Sequence, residues 1–289
     1  MNVDMIENVA VELLRRAVIY LPEDVKRALQ RAYENEDNAA AKTQLEAILR
    51  NIKLAEENEA PVCQDTGLIN FYVSVGGKLW DLVEIEEALR RATRRATREV
   101  PLRPNAVDIF TEKNTGDNTG RLVPHINWEF TTGDVLEITA FPKGGGSENM
   151  CALRMASPGE GLSAVKRFVV DSVLEAGAKP CPPVILGVGI GGGSDIAMKL
   201  AKKALLRPLD QPNQNPEAAK LEEELLKAVN MTGIGPMGVG GRSTCLGVKV
   251  EYAHRHVASY PVAVAFQCWA ARRASARIHP DGSVEYLTR

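Results

Sequence analysis

Four short stretches combine glycine, polar side chains and a thiol or charge in ways that invite chemistry. They are Pro61-Val-Cys-Gln-Asp-Thr-Gly67, Lys143-Gly-Gly-Gly-Ser-Glu-Asn149, Lys179-Pro-Cys-Pro-Pro183, and His254-Arg-His256 running on to Gln267-Cys268-Trp269. Cys63 lies in a turn beside Gln64 and Asp65, whereas a structural cysteine usually has apolar neighbours. Cys181 has proline on both sides, which stiffens the backbone around its thiol, and Cys-Pro also occurs in ferredoxin cluster motifs. Cys268 ends an apolar run, with Trp269, Arg272 and Arg273 after it. Each thiol has a plain reading too: a buried thiol under an Asx-type turn, a stiff loop before a strand, a core cysteine at a strand end. The three glycines 144–146 suit either a tight turn or an anion held by bare backbone N–H groups. His256 is one of four histidines and stands between the glycine-rich stretch 233–241 and Cys268.

The chain has five cysteines, with no CxxC pair and no close Cys/His spacing. That argues against a disulfide framework and against a local zinc site. Thiols that act together must meet through the fold, and composition does not say which of the five do so. Cys151 and Cys245 stay open at this level. Two further patterns compete for a functional reading. Gly187-Val-Gly-Ile-Gly-Gly192 fits the letters of a dinucleotide fingerprint, but the acidic residue expected about 20 positions on falls in a proline-containing loop. Arg90, Arg91, Arg94, Arg95 and Arg98 recur at helical spacing and could form a nucleic-acid face. The glutamates 84, 86, 87 and 99 dilute that charge, so a solvated or subunit-facing helix surface is the simpler reading.

The groups must be held by a scaffold that the hydrophobic pattern outlines. Residues 4 to about 57 read as three helices, with Asp4 and Glu7 as a capping box, Pro22 opening the second, and the third over 39–57. From Pro61 on, short apolar runs alternate with helices. Strands are expected over 68–75, 125–130, 135–141, 184–190, 246–253 and 262–268, and helices over 84–99, 162–176, 195–206 and 217–229. Gly76-Gly77 reads as a turn. The expected fold is mixed α/β: a helical N-terminal segment, 1–58, then a body over 59–289 with a mixed β-sheet, surrounding helices and glycine-rich loops. Strands lie on both sides of the polar loop 208–216, so one continuous domain over 1–289 is preferred. Over 289 residues, 45% hydrophobic and 25% charged with a net charge of −2, the chain reads as an ordinary globular protein. That balance points to neither nucleic acid nor an anionic membrane as partner. There is no uninterrupted apolar run of transmembrane length. Charges inside the N-terminal apolar pattern mark an amphipathic helix and not a secretion signal, which makes a cytoplasmic location the expectation.

Together the four stretches, with Leu102-Arg-Pro-Asn-Ala-Val-Asp108, resemble the motifs of the class I, iron–sulfur-dependent fumarases and the related tartrate dehydratases. They occur in that family's order and cover the chain from about residue 60 to 270. The resemblance implies a [4Fe–4S] cluster bound by Cys63, Cys181 and Cys268, with Cys151 and Cys245 as non-ligands. It implies substrate contacts from Gln64, Asp65, Arg103 and the Gly145 backbone, and catalytic roles for His256 with Asp65. The activity implied is reversible hydration of fumarate to malate, with tartrate dehydration to oxaloacetate as the alternative. A non-catalytic iron–sulfur sensor is a reading from another class, but it leaves Gln64, Asp65, Arg103 and the glycine loop unexplained. Single-chain members of the family continue into a second domain that is not seen here. The chain therefore resembles the α half of a split enzyme, expected to act only with a β subunit and to form a homodimer or an α2β2 assembly.

Overall fold

A computed structural model describes residues 3–76, 81–100 and 102–288. Along the chain run α1 (Val3–Ile19), α2 (Glu23–Glu34), α3 (Ala39–Glu57), β1 (Asn70–Gly76), α4 (Leu82–Glu99), β2 (His125–Thr131), β3 (Leu136–Ala140) and the single turn α5 (Gly145–Glu148). Then come β4 (Ala152–Ala156), α6 (Gly161–Ala176), β5 (Val184–Gly192), α7 (Ser194–Ala204), α8 (Pro216–Asn230), β6 (Cys245–Arg255), β7 (Tyr260–Gln267), β8 (Ala274–Ile278) and β9 (Val284–Tyr286). The expected mixed α/β character is present. Every helix and strand read from the pattern occurs, with ends shifted by a few residues. The turn expected at Gly76-Gly77 lies partly outside the described residues.

The chain divides into two compact units, each assembled from separate stretches. The first takes the residues up to Pro22, Ile52–Gly145 and those from Arg272 on; the second takes Glu23–Asn51 and Gly146–Ala271. No division falls in the loop 208–216. The N-terminal helices are not a block of their own, since α1 belongs to the first unit and α2 to the second.

The first unit holds a five-stranded sheet in the order β2-β1-β3-β8-β9. β2 and β3 are consecutive and close in sequence, yet they do not pair. β1 lies between them, parallel to β2 and antiparallel to β3. Alternate residues of the central strands are buried: Phe71, Val73 and Val75, then Leu136, Ile138 and Ala140, then Ala274, Ala276 and Ile278. That period of two turns one face inward. Against it pack the helical stripes Ile6, Val9, Ala10, Leu13 and Leu14 of α1 and Ile85, Ala88, Leu89 and Ala92 of α4. Each fully buried Leu, Ile or Phe contributes about 1.5–3 kcal/mol. α4 starts where the Asp81 carboxylate accepts the backbone N–H groups of Val83 (2.9 Å) and Glu84 (3.2 Å). The expected capping box at the start of α1 does not form. Asp4 lies inside the first turn, and Glu7 reaches instead to Arg91 and Arg95.

The second unit holds a four-stranded sheet in the order β4-β7-β5-β6. β5 runs parallel to β6 and antiparallel to β7. Val184, Leu186 and Val188 of β5 join Val262, Val264 and Phe266 of β7 and residues of α6 and α8 in one apolar cluster. The other face receives α7. A Cβ on Gly187 would stand 2.0 Å from the Ala201 carbonyl oxygen, and one on Gly189 1.9 Å from that of Ala197. Those glycines let a helix lie directly on the strand, so the dinucleotide-like letters record packing.

Candidate active site

In the first unit, Gly67 closes the Cys63 turn against the residue before the glycine loop. Leu68 and Lys143 exchange two backbone hydrogen bonds of 2.9 Å. Gly67 has a φ of +87°, and a Cβ there would stand 2.8 Å from the Lys143 nitrogen. Only glycine fits. The Asp65 carboxylate then spans both loops. One oxygen accepts the Gly67 N–H at 2.9 Å and the Asn105 side-chain N–H at 3.4 Å, and the other accepts the Gly145 N–H at 2.9 Å. Here the Gly145 donor that the resemblance assigns to a substrate carboxylate is engaged by Asp65. The oxygens of Asp65 that would take a proton are engaged as well. Cys63 is half-buried and Gln64 exposed at the head of the same turn.

The segment 102–124 carries Arg103, which is exposed. Its backbone is fixed from below. The Arg103 N–H donates to Thr66 Oγ1 at 3.0 Å. Asn118 is fully buried; it accepts from the Asn105 N–H at 2.7 Å and donates to the Arg103 carbonyl at 3.1 Å. Asn105 and Asn118 had no sequence signal beyond lying in or after the Leu102–Asp108 motif.

In the second unit, Cys181 and Cys268 lie at the same end of the sheet. Cys181 precedes β5 and Cys268 follows β7, where Ile185 pairs with Gln267. The Trp269 N–H donates to the Cys181 carbonyl at 3.3 Å, which ties the two cysteine segments together. Cys181 adopts a φ of +55°, a left-handed conformation that costs a non-glycine residue of order 1 kcal/mol and that gathers at functional sites. The glycine-rich stretch 233–241 packs beneath this loop. The Met237 N–H donates to the Pro182 carbonyl at 2.7 Å, and a Cβ on Gly238 would meet the Ala178 Cβ at 2.4 Å. Beside Cys268, the buried Gln267 side chain leaves both its amide nitrogen and its oxygen without a hydrogen-bond partner. A buried amide in that state awaits a polar neighbour.

The remaining thiols differ. Burial pushes the Cys245 thiol up to about 12, and its Sγ lies 3.2 Å from the Gly247 carbonyl. Its apolar surroundings disfavour the thiolate form. The Cys151 thiol stands 3.8 Å from the Ser147 carbonyl and 4.0 Å from the Glu148 carboxylate. The half-buried Cys181 and Cys268 are of the donor type that an iron–sulfur group would need. Among the described residues, no three His, Cys, Asp or Glu side chains form a group that could hold a metal ion.

His256 lies elsewhere in the second unit. It sits in the β6–β7 turn, exposed, its Nδ1 accepting the Ala258 N–H at 3.1 Å. Arg255 shapes this turn by donating to the carbonyls of His256, Val257 and Ser259 while stacking over Tyr260. The eight residues of β7 separate that turn from Cys268. At about 3.3 Å per residue the separation is roughly 26 Å. Within one copy of this unit, His256 and the two thiols are not brought together. A cavity of about 570 Å³ opens at the His256 end, lined by Leu162, Ile190, Leu221, Val250, Val257 and Tyr260 among others. Its walls are mainly apolar, and it lies at the opposite sheet end from the cysteines.

Four of the five arginines of α4 are answered by carboxylates: Arg90 by Glu86, Arg91 and Arg95 by Glu7, Arg94 by Asp117. That leaves little of a nucleic-acid face. No described helix is long and apolar enough to cross a membrane.

Comparison with known proteins bears on this arrangement. The family model described as fumarate hydratase (Fumerase) matches residues 7–277. The chain belongs to that family. Among its relatives is a protein of Methanocaldococcus jannaschii named putative L(+)-tartrate dehydratase subunit alpha. It is 48% identical over 283 residues, which covers 96% of this chain and 99% of the relative. The L(+)-tartrate dehydratase subunit alpha of Escherichia coli strain UTI89 is 39% identical over 269 residues, covering 93% of this chain and 89% of the relative. The fumarate hydratase match takes in all four stretches that stood out in the sequence.

Proposed function

We propose that the chain is the α subunit of an iron–sulfur hydro-lyase that adds or removes water next to a carboxylate in a four-carbon dicarboxylic acid. The observation that carries this reading is the pairing of Cys181 and Cys268 at one sheet end, with Cys181 held left-handed and Gln267 unpartnered beside them. In the proposal Cys63 joins those two as the third thiolate of a [4Fe–4S] cluster. When bound, a cluster with three protein ligands supplies an open iron, a Lewis acid for a substrate hydroxyl and carboxylate.

The protein's own groups then have separable tasks. The exposed Arg103 has a fork that suits a carboxylate. Gln64, at the head of the Cys63 turn, contacts substrate. Asp65 holds Gly145 in place and gives up that N–H when a substrate carboxylate takes it. His256 handles a proton and is supplied by a second copy of the chain, since in its own unit it lies a sheet-length from the thiols. That requirement favours a homodimeric core, as in an α2β2 assembly. The β subunit is supported by the relatives' names as alpha subunits. It is supported also by Ile109 and Phe110, 83% and 93% exposed in the segment that carries Arg103.

Tartrate is the first substrate to test, because the relatives above are named for it. Fumarate is the second, because the family model bears its name. The test is anaerobic reconstitution of the chain with and without a co-produced β subunit, followed by assay of both acids. Turnover of one acid, dependent on the partner, is expected. Iron content should fall to background in Cys63→Ser, Cys181→Ser and Cys268→Ser and stay at the parent level in Cys151→Ser. Full turnover by the chain alone, or reconstituted material without iron, would overturn the reading.

A further inference from the structure

Arg272 is the largest fully buried side chain of the described residues, 1% exposed. Nη1 donates to the backbone carbonyl of Asp65. Nε is buried without a hydrogen-bond partner. Nη2 stands 3.0 Å from the point a Cβ on Gly144 would occupy, and Asp65 Oδ2 stands 3.3 Å from that same point. Gly144 thus leaves open the space between a guanidinium and a carboxylate. Among the described residues Arg272 has no ion pair. A buried guanidinium without a carboxylate is costly, and an apolar residue of like volume would fill the space more cheaply.

The cost has a local return in geometry. Asp65 is gripped at three points: one carboxylate oxygen by Gly67, the other by Gly145, and the main-chain oxygen by Arg272. With all three in place the Cys63-Gln64-Asp65 turn has little freedom. Arginine suits the task because its planar fork is rigid, whereas a lysine offers a single nitrogen on a flexible stem.

We propose that Arg272 is the positioning residue of this turn: by holding the Asp65 carbonyl beside Gly144, it fixes where the Cys63 thiol and the Gln64 amide are presented. The proposal deepens the function given above and rests on its reading of Cys63 and Gln64.

The test uses the full chain with Arg272→Gln, Arg272→Lys and Gly144→Ala, the last of which keeps the arginine but crowds Nη2. In the metal-free chain, hydrogen exchange read by mass spectrometry should be at least tenfold faster for peptides covering 63–68 and 142–146 in Arg272→Gln. Peptides from β5 and β7 should be unchanged, and Arg272→Lys should fall between parent and Arg272→Gln. Faster exchange everywhere, or nowhere, overturns the proposal. If Arg272→Gln does not fold, Gly144→Ala decides by the same local pattern. In anaerobically reconstituted protein, iron release to a chelator should be at least fivefold faster in Arg272→Gln, with a changed electron paramagnetic resonance spectrum of the reduced cluster. Equal release rates overturn the proposal. A parent that binds no iron sinks the proposed function instead, and the exchange result on the metal-free chain then still decides the place of Arg272.

Discussion

Two glycine-rich stretches in this chain look alike in composition and are used in opposite ways. In Gly187–Gly192 the space beside the strand is occupied: helix carbonyls stand within 2.0 Å of where side chains on Gly187 and Gly189 would begin. In Gly144–Gly146 the nearest atoms are the ends of side chains, Asp65 and Arg272, or a carbonyl 3.5 Å away. The first stretch is fully satisfied inside the fold. The second lies beside charged groups, and its Gly145 N–H donates to the Asp65 carboxylate. The same contrast holds for charge, since four of the α4 arginines have carboxylates and Arg272 has none among the described residues. For sulfur it sets one thiol apart, since Cys245 is sealed while Cys63, Cys151, Cys181 and Cys268 are partly exposed. What surrounds an unusual residue, and not the residue type, separates architecture from chemistry.

The contrast can be broken most directly at Gly189. Gly189→Ala should destabilise the protein by about 3 kcal/mol or more, because the methyl must displace helix backbone. Urea denaturation measures it, and a loss under 1 kcal/mol would mean that α7 does not sit as described. Glu7→Gln comes next, at about 1 kcal/mol near pH 7. Burial pushes the Glu7 carboxyl upward, but hydrogen bonds and charge from Arg91 and Arg95 outweigh it and hold the group below its ordinary 4.5. Its contribution is therefore present above about pH 4.5 and fades as pH falls through the lower folded-state value. The gap between Glu7→Gln and parent should shrink as pH is taken below 4.5; a gap unchanged in acid would assign the effect to something other than charge. Gly145→Ala is the smallest, within about 0.5 kcal/mol, since no neighbouring atom lies closer than 3.9 Å. A thermal melt checks it. Finally, iodoacetamide at pH 8 should label Cys63, Cys181 and Cys268 of the metal-free chain and leave Cys245 unlabelled for hours. Labelling of Cys245 at a comparable rate would show that its strand opens.

The long helices were legible because a 3.6-residue apolar stripe needs no tertiary information. β4, β8 and β9 were not: each is five residues or fewer, and β4 exposes three of its five. The sheet order was hidden for a different reason. β2 and β3 look like neighbours across a turn, but the earlier strand β1 takes the place between them, and no local pattern encodes an insertion from so far away. Of the site, the thiol and glycine segments could be picked out by composition, while the choice among the five thiols came from family resemblance. The grip on Asp65 could not be read, because Asn105, Gly145 and Arg272 reach it from three separate parts of the chain. Arg272 itself stood in the sequence only as one of two arginines after Trp269.

The way the two units are threaded has a consequence for synthesis. β8 lies inside the five-stranded sheet, yet it follows every residue of the second unit in the chain. On the ribosome the second unit has all its strands before the first can close its sheet. Until β8 emerges, β3 is left with a bare edge, and the interval in which the nascent chain is open to wrong strand pairing belongs to the half that began first.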